Sequence, residues 1–425
     1  MGLFDMFGKK NEKEAEEERK KELLSQKQEA SDTARKAHEG MEWPVIQRIN
    51  PVNIQDGDAG VIGETVPEER KDELGQMIYD EDIPADSLKF LNSQELLFIL
   101  TALEMFNKKA PLPGFETNHR KIYNEVLGRI RDAKELYVLY DKTSGFPFID
   151  HGFANVYFDE ELAGKAVDLF TRQFRKLEAR KTVTLSEDTT KTGFFDFLYY
   201  IGVENLIVDN GGYRARFKRS EITAAPGEWN NDKKPDMPIN PKLNFAMIDF
   251  FEEMRWPVKY EKRDEVLKAK ERRMLTLIGG SRFIVPIQHD GPAEVMEDGR
   301  IKLTKDSRIK FLVMKTGDNK EFIPVFTDGF SLAGFGKGKE FGVGVFGFED
   351  LVRFVQDKDG VMINPSGQQV VLTRDRMMAL HHASSQAQAL KKKNSAGQKA
   401  ARSADAAVAQ AVNKAVKKMN EEKKD

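Results

Sequence analysis

The 425 residues contain no cysteine. That excludes disulfides, thiolate metal sites and a cysteine nucleophile, and it fits a reducing compartment. Histidine is scarce, with six in the chain, so imidazole chemistry has few carriers. No apolar run approaches the length of a membrane span. The opening stretch MGLFDMFGKK lacks the apolar core of a signal peptide. The expectation is a cytoplasmic protein. A net field is missing too. Lys and Arg total 67 against 69 Asp and Glu, a formal charge of -2, so the whole molecule does not draw in nucleic acid or anionic lipid.

What is present suits a folded chain of two or three domains. Hydrophobic residues make up 40% and charged residues 32%, enough for real cores beneath a solvated surface. Charge is unevenly placed: acids dominate Asp56 to Asp86, and bases dominate Lys391 to Lys424.

Two pairs of segments look alike and recur in the same order. KELYVLYDKTSGFPFIDHGF (Lys134 to Phe153) is similar to KFLVMKTGDNKEFIPVFTDGF (Lys310 to Phe330). Phe194 to Ile222 is similar to Phe348 to Met377. A repeat at domain-sized spacing predicts two copies of one fold rather than one large enzyme with a single cleft.

Residues 1–40 read as a charged helical or disordered segment, with apolar residues too sparse for a buried stripe. Residues 41–86, with Pro44, Pro51, Pro67 and Pro84, read as an acidic extended connector. The first domain spans 87–224, a Pro/Asn/Asp-rich linker 225–242, and the second domain 243–383. A basic, low-complexity tail fills 384–425. Within the first domain, helices are expected over Ser93–Phe106, Asn118–Ala133, Asp159–Leu177 and Phe194–Ile201. Strands are expected at Leu136–Tyr140, Phe146–Ile149, Asn155–Phe158, Asn205–Asp209 and Tyr213–Phe217. The second domain opens with helices over Phe245–Met254 and Glu261–Thr276. Its strands fall at Arg282–Pro286, Ile309–Lys315, Glu321–Phe326, Gly360–Ile363 and Gln369–Thr373. The fold class is α/β (α+β): two tandem related domains, each a mixed sheet of roughly five strands packed with helices, plus flexible helical tails.

The second domain carries FIPVFTD (Phe322 to Asp328), FEDL (Phe348 to Leu351) and VMINPSG (Val361 to Gly367) in that order. Over about Phe283 to Leu380 it resembles the amino-terminal domain of the SseB family, named for enhanced serine sensitivity. The first domain departs from that pattern, with FPFIDHG for IPVFTDG and VDNGG for INPSG, and reads as a diverged copy. The resemblance implies a fold and a non-catalytic domain. It carries over no catalytic residues.

Candidate chemistry is sparse. Thr327 and Asp328 either cap a helix or hold a polar ligand. Asn364 and Ser366, in the Asn-Pro-Ser-Gly stretch, either form a hairpin turn or face a ligand at a sheet edge. These four are the candidate ligand-binding residues. Gly342 to Gly347 matches G-x-G-x-x-G, but no apolar strand precedes it, so Gly334 to Gly347 reads as a mobile loop rather than a dinucleotide site. GKGK (Gly336 to Lys339) lacks the spacing of a phosphate loop. Asp150-His151 could act as acid and base, or simply form a turn. His381 and His382 are adjacent and make a poor metal pair.

No catalytic residue, metal or cofactor is expected. The favoured reading is a non-enzymatic binding or scaffold module with an unknown protein partner. One alternative is an enzyme with its cleft between the domains, using Asp150, His151, Asp328 or Asn364. The other works through the ends: a short amphipathic element (Leu3, Phe4, Met6, Phe7), and a basic tail making weak contact with anionic lipid or nucleic acid. The tail is also expected to touch the acidic connector.

Overall fold

The computed structural model describes residues 3–49, 62–183, 193–225, 237–291, 293–295, 301–303, 308–335 and 341–383. They fall into two compact units. One comprises Met1–Pro235 with Asn244–Lys270, the other Asp236–Leu243 with Glu271–Asp425. No described helix is long and apolar enough to cross a membrane. The basic tail, the GKGK stretch and the side chains of Leu3, Phe4, Met6 and Phe7 lie outside the described residues, so the tail-to-connector contact does too.

The first unit begins with the long helix α1 (Leu3–Ala37). Its residues 21–26 are exposed, but its end docks: Ala34 is buried, and the buried His38 Nε2 lies 3.0 Å from the Phe106 carbonyl oxygen. Residues 62–86 were expected to be an extended connector, and the structure corrects this. They form α2 (Glu68–Gly75), a 3-10 turn (Gln76–Tyr79) and α3 (Ala85–Leu88). Val66, Leu74, Ile78 and Ile83 enter the main core, each such burial being worth about 1.5–3 kcal/mol. Their apolar spacing was hidden by the surrounding acids.

Helix α4 (Ser93–Lys109) starts on a capping box in which Asn92 and Glu95 satisfy each other's backbone amides. Next come α5 (Phe115–Asp132), β1 (Leu136–Asp141), β2 (Ile149–Asp150) and β3 (Phe153–Tyr157). Asp159 caps α6 (Glu160–Arg172). Then follow β4 (Leu177–Thr182), α7 (Phe194–Tyr200), β5 (Asn205–Val208), β6 (Ala215–Lys218) and α8 (Arg219–Ile222). The sheet runs β4-β1-β3-β5-β6, with β2 also on β3. Side chains alternate between its faces. Val138, Ala154, Val156, Leu206, Val208, Ala215 and Phe217 meet α4, α5 and α7, while Leu139 and Tyr157 meet Ala163, Ala166 and Phe170 of α6.

Helix α9 (Pro241–Arg255) was expected to open the second domain. From Asn244 onward it packs with the first unit instead. Ile248 joins the first core, Glu252 Oε2 accepts from the Ile149 amide at 3.0 Å, and the Trp256 indole donates to Gln173 O at 2.7 Å. Helix α10 follows (Arg263–Gly280).

The second unit contains β7 (Arg282–Asp290), β8 (Ala293–Val295), β9 (Ile301–Leu303), β10 (Arg308–Phe311), β11 (Met314–Lys315) and β12 (Glu321–Val325). After them come α11 (Gly329–Ala333), β13 (Gly342–Gly347), α12 (Phe348–Phe354), β14 (Gly360–Ile363), β15 (Val370–Thr373) and helical residues 374–383. One sheet runs β10-β7-β13, a second β11-β12-β14-β15, and β8 and β9 form a hairpin. Paired 2.8 Å bonds between Ile284 and Phe326 join β7 to the end of β12. Of the mobile loop expected over Gly334 to Gly347, the stretch Gly342–Gly347 is thus a strand, paired with β7 along its whole length. Every second amide of this edge strand can serve the ladder with β7, and its extended backbone is not the turn of a phosphate loop.

The two units share a pairing pattern. In the first, β1 is antiparallel to β3, β3 parallel to β5, and β5 antiparallel to β6. In the second, β7 meets β12 antiparallel, β12 is parallel to β14, and β14 antiparallel to β15. In each unit one further strand, β4 or β13, lies antiparallel on the outer side of the first.

Candidate functional site

Parallel pairing of β12 and β14 brings their carboxyl ends together and positions three of the four candidate residues. Asn364 turns with φ 46°, a left-handed conformation that asparagine tolerates, and its amide donates to Val325 O at 2.9 Å. Its side-chain Oδ1 accepts from the Thr327 amide at 3.0 Å, and its Nδ2 donates to Thr327 Oγ1 at 2.9 Å. Thr327 Oγ1 donates to Asp328 Oδ2 at 2.8 Å, and Asp328 Oδ1 accepts from the Ser331 amide at 2.7 Å, capping α11. Asn240 Nδ2 donates to Thr327 O at 2.6 Å. Thr327, Asp328 and Asn364 are all buried. Ser366 stands apart and exposed on the turn, which closes with a 3.0 Å bond from the Gly367 amide to Asn364 O. The three buried side chains therefore lock two strand ends and a helix start to one another.

The first unit has the same corner with different chemistry. Asp209 stands where Asn364 does. Its amide donates to Val156 O at 2.9 Å, its φ is 54°, and its Oδ1 accepts from the Phe158 amide at 3.1 Å. The turn again closes, from the Gly212 amide to Asp209 O at 3.0 Å. Asp159 caps the next helix, as Asp328 does. The second carboxylate oxygen of Asp209 accepts from Gln94 Nε2 of α4 at 2.9 Å, and Gln94 Oε1 accepts from the Tyr213 amide at 3.0 Å. Burial pushes the Asp209 carboxyl up to about 7, against the pull of the Gln94 and Phe158 bonds.

Beyond this corner the first unit is open. Two hollows of about 230 and 470 Å³ share Gln47, Arg214 and Arg216 in their walls. The larger is completed by Arg48, Asp150, His151, Phe153, Ile207 and Asn210. Arg214 donates from Nη1 to Asn210 Oδ1 at 2.6 Å and from Nη2 to Gln47 Oε1 at 2.9 Å. Asn210 is itself held by Asn155 Oδ1, to which its Nδ2 donates at 2.9 Å. The Arg216 guanidinium lies 5.3 Å from the centroid of the Phe153 ring. Burial and the nearby Arg216 charge hold Arg214 below its ordinary value.

Asp150 and His151 touch, with His151 Nδ1 2.8 Å from Asp150 Oδ1. That bond, and the carboxylate charge behind it, raise the imidazole above its ordinary value. The pair also has a plain structural job. His151 (φ 49°) and Gly152 (φ 89°) are the two central residues of the tight turn between β2 and β3, and positive φ at both is what that hairpin turn needs. Among the described residues no group of three or more His, Asp or Glu could hold a metal ion. Sequence reasoning passed over Arg214 and Arg216. Their signal was the alternation Tyr213-Arg214-Ala215-Arg216-Phe217-Lys218, basic at every second residue of a strand.

Residues 263–379 match the family model of the SseB protein N-terminal domain. The chain thus carries an SseB domain that runs from α10 into the helical residues after β15. The matched range does not reach the first unit's sheet. No curated protein and no solved structure matches the chain.

Proposed function

We propose that this chain is a non-enzymatic binding protein made of two copies of one module, with its working surface in the first copy. The duplication is supported by the shared order of antiparallel, parallel and antiparallel pairings. It is also supported by Asp209 and Asn364 making the same backbone contacts. One observation carries the binding reading. The polar groups of the buried corner, Thr327, Asp328 and Asn364, bond to one another or to backbone. The first unit instead has an open hollow walled by guanidinium groups. Binding by this surface needs no reacting group.

The test is turnover. Asp150-His151 is the acid-base pair that an enzyme would use. Purified full-length chain is expected to hydrolyse generic ester and phosphoester substrates no faster than a His151→Ala variant of equal melting temperature. A turnover lost in that variant would sink the reading. Native mass spectrometry of the freshly purified chain gives the positive arm, with a co-purifying small molecule as the expected result.

A further inference from the structure

We propose that the larger hollow of the first unit binds a small organic phosphate, a phosphomonoester joined to a flat apolar group. The inference rests on the binding reading above and gives that site a ligand class.

Size comes first. At about 470 Å³ the hollow falls in the range of small-molecule sites. Charge narrows the class. Among the described residues that line it, Arg214 and Arg216 meet a single acid, Asp150, which already contacts His151. Both acceptors recorded for Arg214 are neutral amides, Gln47 and Asn210. These amides orient the guanidinium without neutralising it, and its neighbour is a second guanidinium. An anion between the two would relieve their repulsion. A planar guanidinium fork suits phosphate oxygens, and a phosphomonoester brings nearly two negative charges at neutral pH. Part of the wall is apolar. Phe153 already carries Arg216 over its ring, and Ile207 is buried beside it. A flat apolar group on the ligand would meet Phe153 and Ile207.

The feature is not a property of the fold. Counting along the matching strand pairs, Val371 stands where Arg216 does, Gln369 where Arg214 does, and Pro365 where Asn210 does. The second unit has no charge at these registers.

Phenyl phosphate titrated into the full-length chain by calorimetry tests the proposal, with phenol and inorganic phosphate as comparators. Saturable binding tighter than roughly 1 mM is expected, with weaker binding of inorganic phosphate and none of phenol. Arg216→Val and Arg214→Gln should each weaken phenyl phosphate at least about tenfold, while Arg353→Gln, an exposed arginine of the second unit, should change nothing. Arg216 is exposed on its strand, so its variant should keep its melting temperature. No saturable binding overturns the proposal, as does binding that ignores both arginines. Arginine-dependent binding of a glutamate-rich peptide in place of phenyl phosphate overturns it too. Release of phenol from bound phenyl phosphate would instead defeat the non-enzymatic reading and leave the ligand class standing.

Discussion

Asp209 in the first unit and Asn364 in the second solve one problem with different side chains. Each ends a buried parallel strand, turns left-handed, and reaches back to the amide that follows the neighbouring strand. The asparagine closes locally: its side-chain amide donates to the Thr327 hydroxyl just past the end of the neighbouring strand. The aspartate has an acceptor left over and draws Gln94 in from α4, tying that helix to the turn before β6. An amide costs little to bury once bonded. A carboxylate must stay ionised in a dry place or take up a proton. The first unit gains a long-range tether and with it a dependence on pH.

That dependence gives the largest expected effect. Asp209 is raised from an ordinary 3.8 to about 7. A carboxyl that holds its proton more tightly when folded stabilises the fold fully below its unfolded value. The contribution is lost as pH climbs from about 4 to about 7. At about 1.4 kcal/mol per pKa unit the swing is up to about 4 kcal/mol. Hydrogen exchange of peptides covering 205–218, read at pH 5 and pH 8, should show protection falling with pH in the native chain. In Asp209→Asn this fall should be largely gone, at the cost of about 1 kcal/mol at pH 5 for the lost Gln94 bond. Equal pH slopes in the two proteins would break the comparison.

A second pair of matching positions differs in backbone. Asn205 opens β5 opposite Lys218, and Gly360 opens β14 opposite Thr373. Gly360 has φ 151°, and a Cβ there would lie 1.9 Å from Leu372 O. The second strand pair approaches more closely than any side chain allows. Gly360→Asn should therefore destabilise the second unit by about 3 kcal/mol, a cost that backbone strain and forced displacement commonly reach. Asn205→Gly should cost the first unit under about 1 kcal/mol. Urea denaturation of each variant measures both, and similar losses would mean that the two strand pairs are more alike than their geometry indicates.

Much of this was legible in the sequence because it is local. Asp159 before an acidic, apolar-periodic stretch announces a capped helix, and Asn-Pro-Ser-Gly announces a turn. What stayed hidden depends on distant partners. Gly342 to Gly347 is half glycine, poor strand material in isolation, and it becomes a strand because β7 offers it a ladder. Leu177 reads as the end of the helix that Asp159 starts, yet it opens the edge strand β4, in which three of six residues are charged. The expected repeat and the shared pairing pattern differ in register. String similarity sets Asp150-His151 beside Thr327-Asp328, whereas strand pairing sets Phe158-Asp159 there, because β3 and not the short β2 runs parallel to β5. The four candidate residues were found by type, but only pairing shows that three of them face inward to one another.

The smallest effect tests whether charge alone makes the hollow. Val371 is 39% exposed at the register that Arg216 occupies in the first unit. Val371→Arg should change stability by no more than about 0.5 kcal/mol, because a long cation can reach water from a half-open strand face. It should not create a second phenyl phosphate site. The second unit lacks both the second arginine and the asparagine that orients it, having Gln369 and Pro365 there instead. Calorimetric stoichiometry distinguishes the cases. One site per chain in Val371→Arg means that the amide-held arginine is what prepares the surface. Two sites would mean that any cation at this register suffices, and the contrast between the units would reduce to a single residue.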